Sequence, residues 1–368
     1  MKVVKNLALA AIALAITASL LLVSCGDSNN PKGNESTAKE SSDDDNTILG
    51  AGATFPSPLY SKMFSEYNKL TGLKVNYQSI GSGGGIQQLT SKTVDFGASD
   101  APLNGKQDSA MSAPAVHIPI AAGAVVMSYN LPDLKDTLNL SPEVLAKIFL
   151  GEITKWNDPG IVAINPGLKL PAIGIHVARR SDGSGTTNVF TAYLAGISKD
   201  WETKVGKGSM VNWPEGLGGK GNEGVAGYIK QIPGCIGYIE LAYAIQNRMA
   251  FARVQNKAGV FITPSISSII AAANINIPAD AKVSIINTES ASGYPISSLT
   301  WILIYKEQKY NNQTAGKATR MLKMIQWLVH EGQQYCAPLN YAPLPANAIS
   351  VADAQLKTVT FDGKPVLQ

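Results

Sequence analysis

Residues 48–100 read ILGAGATFPSPLYSKMFSEYNKLTGLKVNYQSIGSGGGIQQLTSKTVDFGASD, and the change of period within this stretch decides the fold class. ILGAG, VNYQSI and VDFGASD are short, mostly apolar and bounded by turn residues, which is the pattern of strands. PSPLYSKMFSEYNKL sets Leu59, Met63, Phe64 and Tyr67 at helical spacing, and IQQLTSK reads as a second helix. Strands that alternate with helices predict an α/β fold built mainly on parallel sheet.

The rest of the chain continues in this style. AGAVVMSYN, GIHVARR and SLTWILIYK read as strands, and GYIELAYAIQ and VSIINT as further elements. SPEVLAKIFL opens a helix with Ser141 as cap and Pro142 at the first helical position. GKATRMLKMIQWLVHEG is a long amphipathic helix. There is no internal repeat. The chain has 368 residues, 45% hydrophobic and 16% charged, an ordinary globular balance with length enough for two cores. The formal charge is only +4, without the clustered basic stripe of a nucleic-acid binder.

The N-terminus reads differently. Lys2 and Lys5 precede an uncharged apolar run from Leu7 to Val23, which predicts an export signal over residues 1–24. A membrane-spanning anchor is the alternative. Cleavage would remove both lysines and take the formal charge from +4 to about +2. Residues 25–47 then form a polar stretch without a large apolar group, which predicts a flexible tether. An acidic binding tail is the alternative there. Besides Cys25 the chain has Cys235 and Cys336, whose pairing the sequence leaves open. His117, His176 and His330 are far apart and form no metal motif.

Three glycine-rich turns each lead into a helix. In the first, GAGATFPSPLY (50–60), Pro56 suits a first turn and Thr54 is a candidate cap. The second, IGSGGGIQQL (80–89), places Ser82 among glycines whose N–H groups, with the helix end, favour an anion. It lacks the spacing of a dinucleotide fingerprint. The third is ARRSDGSGTTNVF (178–190): Arg180 supplies a planar fork of donors, and Ser184, Gly185 and Thr186 mark the helix start. Together they predict a small oxyanion held by many hydrogen bonds. Asp182 would orient Arg180 and temper its charge.

Asp100 looks out of place in such a site. A carboxylate repels an anion unless the ligand brings a proton. Hydrogen phosphate does so near neutral pH, and sulfate does not. Asp100 therefore reads as a specificity filter, or otherwise as a turn or cap residue.

GAGATFPSPLY, GSGGG, VDFGASDAPL, RRSDGSGT and WPEGLGGKGNEG, in this order, resemble the phosphate-binding protein of bacterial phosphate ABC transporters, the PstS family. The resemblance runs from about Ile48 to the C-terminus. It implies a class II periplasmic binding protein: two α/β lobes joined by two crossover strands, with the ligand in the cleft between them. The implied lobes are residues 48–120 plus 295–368 and residues 121–294, with crossovers near 119–126 and 288–300. The implied phosphate ligands are Thr54, the Phe55 backbone, Ser82, Asp100, Arg180, Ser184, the Gly185 backbone and Thr186, with Asp182 orienting the arginine. Leu22-Val23-Ser24-Cys25 resembles the bacterial lipoprotein box, which implies a lipid on Cys25 and an extracytoplasmic, membrane-anchored protein.

The function implied is a monomeric receptor that hands phosphate to transmembrane permease subunits, with no cofactor, metal, nucleic acid or catalysis. Arsenate, which also carries a proton, is an alternative ligand. A secreted phosphatase is a more distant alternative, because the nucleophile pattern around Ser184 fails at Asp182. Relatives often carry a second serine where glycine follows Ser82. Gly219-Lys220 resembles the end of a nucleotide phosphate loop, but Gly221 stands where Ser or Thr is required. The WPEGLGGKGNEG stretch therefore reads as a loop before a helix.

Overall fold

The structure is a computed structural model that describes residues 46–367 except Asn312. The predicted signal segment, Cys25 and all but the end of the tether lie outside the described residues. No helix among those described is long and apolar enough to cross a membrane.

The first elements follow the periods of the opening stretch. Strands β1 (Thr47–Gly52), β2 (Lys74–Ser79) and β3 (Phe96–Ser99) alternate with helices α1 (Ser57–Thr71) and α2 (Ser82–Thr90). β1 is the middle strand and pairs in parallel with both others. Leu59, Met63, Phe64 and Tyr67 of α1 are buried as their spacing predicts, together with Tyr60. The helix stops at Gly72, whose left-handed backbone (φ 74°) suits a residue without a side chain. Each strand ends in a loop at the same edge of the sheet, where open α/β sheets hold their ligands.

Strand β4 (Ala115–Tyr129) carries the chain from one half of the sheet to the other. From Ala115 to Ala124 it pairs antiparallel with the strand Ser297–Tyr305, and from Val125 to Tyr129 with the strand Cys235–Glu240. Beyond it the strands His176–Arg180 and Leu217–Gly219 run parallel to their neighbours. The sheet is therefore parallel in its two outer parts and antiparallel at its centre, which corrects the expectation of a mainly parallel sheet. The cause is chain traffic: β4 leaves the first half and Ser297–Tyr305 returns to it, so the two run in opposite senses. Two α/β halves joined in this way are the two-lobe architecture.

The pairing of β4 with Ser297–Tyr305 shifts register between Thr300 and Trp301, opposite Pro119, which has no N–H to give to the ladder. Such a bulge re-aims the side chains beside it. The predicted element VSIINT (283–288) forms neither strand nor helix: residues 281–285 are irregular and a turn follows at 286–287. They are held by burial of Ile285 and by the Trp301 indole N–H, which donates to the Ala281 carbonyl at 3.0 Å. The helix Pro142–Phe149 starts as predicted, with Ser141 Oγ accepting from the Val144 N–H. The amphipathic helix Ala315–Val329 buries Met321, Leu322, Ile325 and Leu328. Cys235 and Cys336 are buried, unpaired thiols.

Candidate anion-binding site

Arg180 ends the strand His176–Arg180, and its side chain is almost wholly buried. A buried guanidinium needs partners on every edge. Asp182 supplies them on one side: its carboxylate takes Nε at 2.8 Å and Nη2 at 2.5 Å in a two-pronged pair. Nη1 faces Thr186 Oγ1 at 3.5 Å. Burial alone would raise the Asp182 carboxyl, but the hydrogen bond and charge of Arg180, with the Gly221 N–H, hold it below the usual range. Asp182 thus holds the Nε and Nη2 edge of the arginine.

The helix Gly185–Ile197 follows. Ser184 is its cap, and Ser184 Oγ accepts from the Thr187 N–H at 3.0 Å. Gly185 and Thr186 occupy the first turn, where N–H groups and the helix dipole both favour negative charge.

The loops from β1, β2 and β3 meet this helix mouth. Ser82 Oγ accepts from the Gly185 N–H at 3.1 Å and from the Asp100 N–H at 3.4 Å. The Gly185 approach is so close that a Cβ there would lie 2.4 Å from Ser82 Oγ and 2.6 Å from Asp100 Oδ2. Thr54 does not cap α1: its carbonyl, not its hydroxyl, accepts from Ser57 N–H, and Pro56 precedes the helix without a side-chain cap. The Thr54 hydroxyl instead accepts from the Asn222 backbone N–H at 3.2 Å and from Asn222 Nδ2 at 2.7 Å. The Phe55 ring is buried against Gly123, and its carbonyl accepts from the Tyr341 hydroxyl at 2.7 Å.

Asp100, one residue past β3, is 1% exposed. Its Oδ1 accepts from the Thr300 hydroxyl at 3.0 Å. Burial pushes its carboxyl up to about 7, against the pull of the Thr300 hydroxyl, the Arg180 charge and the Thr186 and Ser82 hydroxyls. It is thus a carboxylate that gains from a proton shared by a ligand. A cavity of about 480 Å³ opens beside it, with Ser82, Gly185, Asn188 and Lys207 in its wall.

The structure brings Thr54, Phe55, Ser82, Asp100, Arg180, Ser184, Gly185 and Thr186 to one place. Cys25 lies outside the described residues. Sequence reasoning missed Asn222 and Thr300. Asn222 stands in the stretch read as a plain loop before a helix; Gly221 does open that helix, and exposed Lys220 is only its cap position. Thr300 sits in an apolar strand, and that strand's antiparallel register with β3, which sets Trp301 opposite Ser99, brings it beside Asp100.

The match to known proteins supplies the class. A PBP superfamily domain model covers residues 37–330, which places the chain among two-lobed binding proteins. The phosphate-binding protein PstS of Haemophilus influenzae is 47% identical over 85% of this chain and 93% of its own. That of Methanocaldococcus jannaschii is 36% identical over 83% and 84%. This chain belongs to the PstS family of phosphate-binding proteins. Among solved structures, a high affinity periplasmic phosphate-binding protein bound with phosphate superposes with a TM-score of 0.68 at 21% identity, over 84% of this chain and 93% of that one. A phosphate-binding protein from Stenotrophomonas maltophilia gives 0.65 at 17% identity, over 84% and 93%. These two likenesses are of fold.

Proposed function

We propose that this protein captures inorganic phosphate outside the cytoplasm and presents it to a membrane permease. The observation that carries the reading is Asp100: a buried carboxyl poised near neutral pH among the donors of Ser82, Thr186, Thr300 and Gly185. Phosphate accepts from these donors and returns one hydrogen bond from its own hydroxyl to Asp100. Sulfate lacks that hydroxyl and leaves two negative oxygens facing each other. Sites that pair a ligand hydroxyl reject analogues without it by on the order of 10⁴–10⁵.

Residues 48–120 plus 295–368 and residues 121–294 act as the two moving lobes, and closure brings the donors of both onto the anion. A ligand drives closure only if it binds the closed form better, and groups from both lobes meet that condition. The chain acts as a monomer, tethered through lipid on Cys25, and performs no catalysis. In this reading Ser184 Oγ is a cap and ligand group, not a nucleophile.

Calorimetric titration of the mature protein with phosphate, sulfate and arsenate across pH tests the reading. Tight phosphate binding with sulfate rejected is expected. Equal affinity for phosphate and sulfate would sink it, and release of phosphate from a chromogenic ester would favour an enzyme.

A further inference from the structure

Asn222 is fully buried, and each of its polar groups has a partner. Its Oδ1 accepts from the Glu240 N–H at 2.9 Å, which fixes the orientation of the amide. Nδ2 must then face the anion site, where it donates to Thr54 Oγ1 at 2.7 Å and to Thr186 Oγ1 at 3.4 Å. Thr54 comes from the β1 loop, and Asn222 from the far half of the sheet, so the side chain spans the cleft.

A hydroxyl has two acceptor positions and one proton. Both acceptor positions of Thr54 Oγ1 are taken by Asn222, one by its backbone N–H and one by its amide. Thr186 Oγ1 is taken by Asn222 Nδ2 and Arg180 Nη1. Neither oxygen is left to present a lone pair to a ligand; the Thr186 proton already serves the Asp100 carboxyl, and the Thr54 proton is the one free to point at a ligand. Without Asn222 the Thr54 hydroxyl could turn and set a lone pair against an anion.

We infer that Asn222 is a positioning residue, which bridges the two lobes and turns the Thr54 hydroxyl proton toward the bound anion. The inference rests on the phosphate site proposed above. It makes Asn222 part of the closing step, because its bond to Thr54 exists only when the two halves meet.

The test is a double-mutant cycle, with phosphate affinity by calorimetry and the thermal midpoint measured for each protein. Asn222→Ala should weaken phosphate binding about tenfold, the size of one net hydrogen bond. In a Thr54→Val background, where there is no hydroxyl to turn, the same change should cost about threefold or less, by the logic of such cycles. Affinity within twofold of wild type, or an equal loss in both backgrounds, overturns the inference. If Asn222→Ala does not fold, near-isosteric Asn222→Asp carries the test. Its carboxylate would draw the Thr54 proton away from the ligand, so binding should fall on the order of a hundredfold; wild-type affinity in that variant would overturn the inference equally. Failure of the wild-type protein itself to bind phosphate would instead refute the site reading, and the same titrations separate the two cases.

Discussion

The backbone N–H of Gly83 donates to the carbonyl of Gly183 at 2.9 Å, and this bond joins loops from the two halves of the sheet. A Cβ on Gly83 would lie 3.0 Å from Gly183 Cα, and one on Gly183 would lie 3.1 Å from Gly83 Cα. The lobes therefore meet backbone to backbone, and both glycines are needed for that distance. The glycine runs that read as anion cradles in the sequence also form contact surfaces between the two halves of the sheet.

Gly185→Ala tests this closeness. Its Cβ would press on Ser82 and Asp100, and overpacking of this kind costs about 1–3 kcal/mol. The expected result is phosphate binding weaker by about tenfold to a hundredfold, at 1.4 kcal/mol per tenfold. Small-angle scattering should show less compaction on adding phosphate. Unchanged affinity and full compaction would contradict the contact geometry.

Asp100→Asn should cut the preference for phosphate over sulfate far more than it weakens anion binding as such. Asparagine offers an N–H to either anion, so the rejection of sulfate, on the order of 10⁴ or more in wild type by the hydroxyl-pairing argument, should largely vanish. Calorimetry with both anions reads the ratio directly. A ratio equal to that of wild type would remove Asp100 from its role.

The pH dependence of ligand-free stability follows from the same carboxyl. Burial raises Asp100 from 3.8 to about 7, so the folded protein keeps a proton that the unfolded chain has lost. Its contribution is fully present below about pH 3.8 and declines as pH rises to about 7. Glu240, fully buried and raised well above 4.5 mainly by burial, acts with the same sign. Asp100→Asn and Glu240→Gln should each flatten the fall of the thermal midpoint with rising pH. A profile as steep as that of wild type would mean these groups are ionised in the folded state.

Asp182→Asn should leave Arg180 a buried cation with a poorer partner. Charge-assisted hydrogen bonds are worth about 1.5–3 kcal/mol, so the ligand-free protein should lose roughly that much stability in denaturant titrations. A loss below the error of measurement would show that the pair only orients and does not stabilise.

Cys235 and Cys336 should behave as inert thiols. Burial pushes both up to about 12, so neither presents a thiolate near neutral pH. In the protein without residues 1–25, a thiol reagent at pH 8 should find almost none until unfolding releases both. A reducing agent should not move the thermal midpoint. Rapid labelling of the folded protein would contradict their burial.

The legible part of the fold was its periodicity. Leu59, Met63, Phe64 and Tyr67 repeat at the helical interval, and they form the buried face of α1 because only one side of that helix meets the sheet. The turns read correctly as helix starts, apart from the Thr54 cap, for a similar reason: a Gly-Ser-Gly run before a helix start is local chemistry, and Arg180 with Asp182 is a pair two residues apart. VSIINT, read only as a further element, forms none: an apolar run becomes a strand only beside a neighbour with free edge groups, and neighbours are a property of the whole sheet.

By itself, the sequence determined the alternation of strands and helices, the three helix mouths with their hydroxyls and N–H groups, and the family through five motifs in order. Each is set within a few residues, where spacing and residue type act directly. Only the tertiary structure decided that the sheet turns antiparallel at β4, that the pairing of Ser297–Tyr305 with β3 sets Thr300 beside Asp100, and that Asn222 takes both lone pairs of Thr54. Those contacts join residues far apart in the chain, and their energies depend on distance and burial that no local pattern encodes.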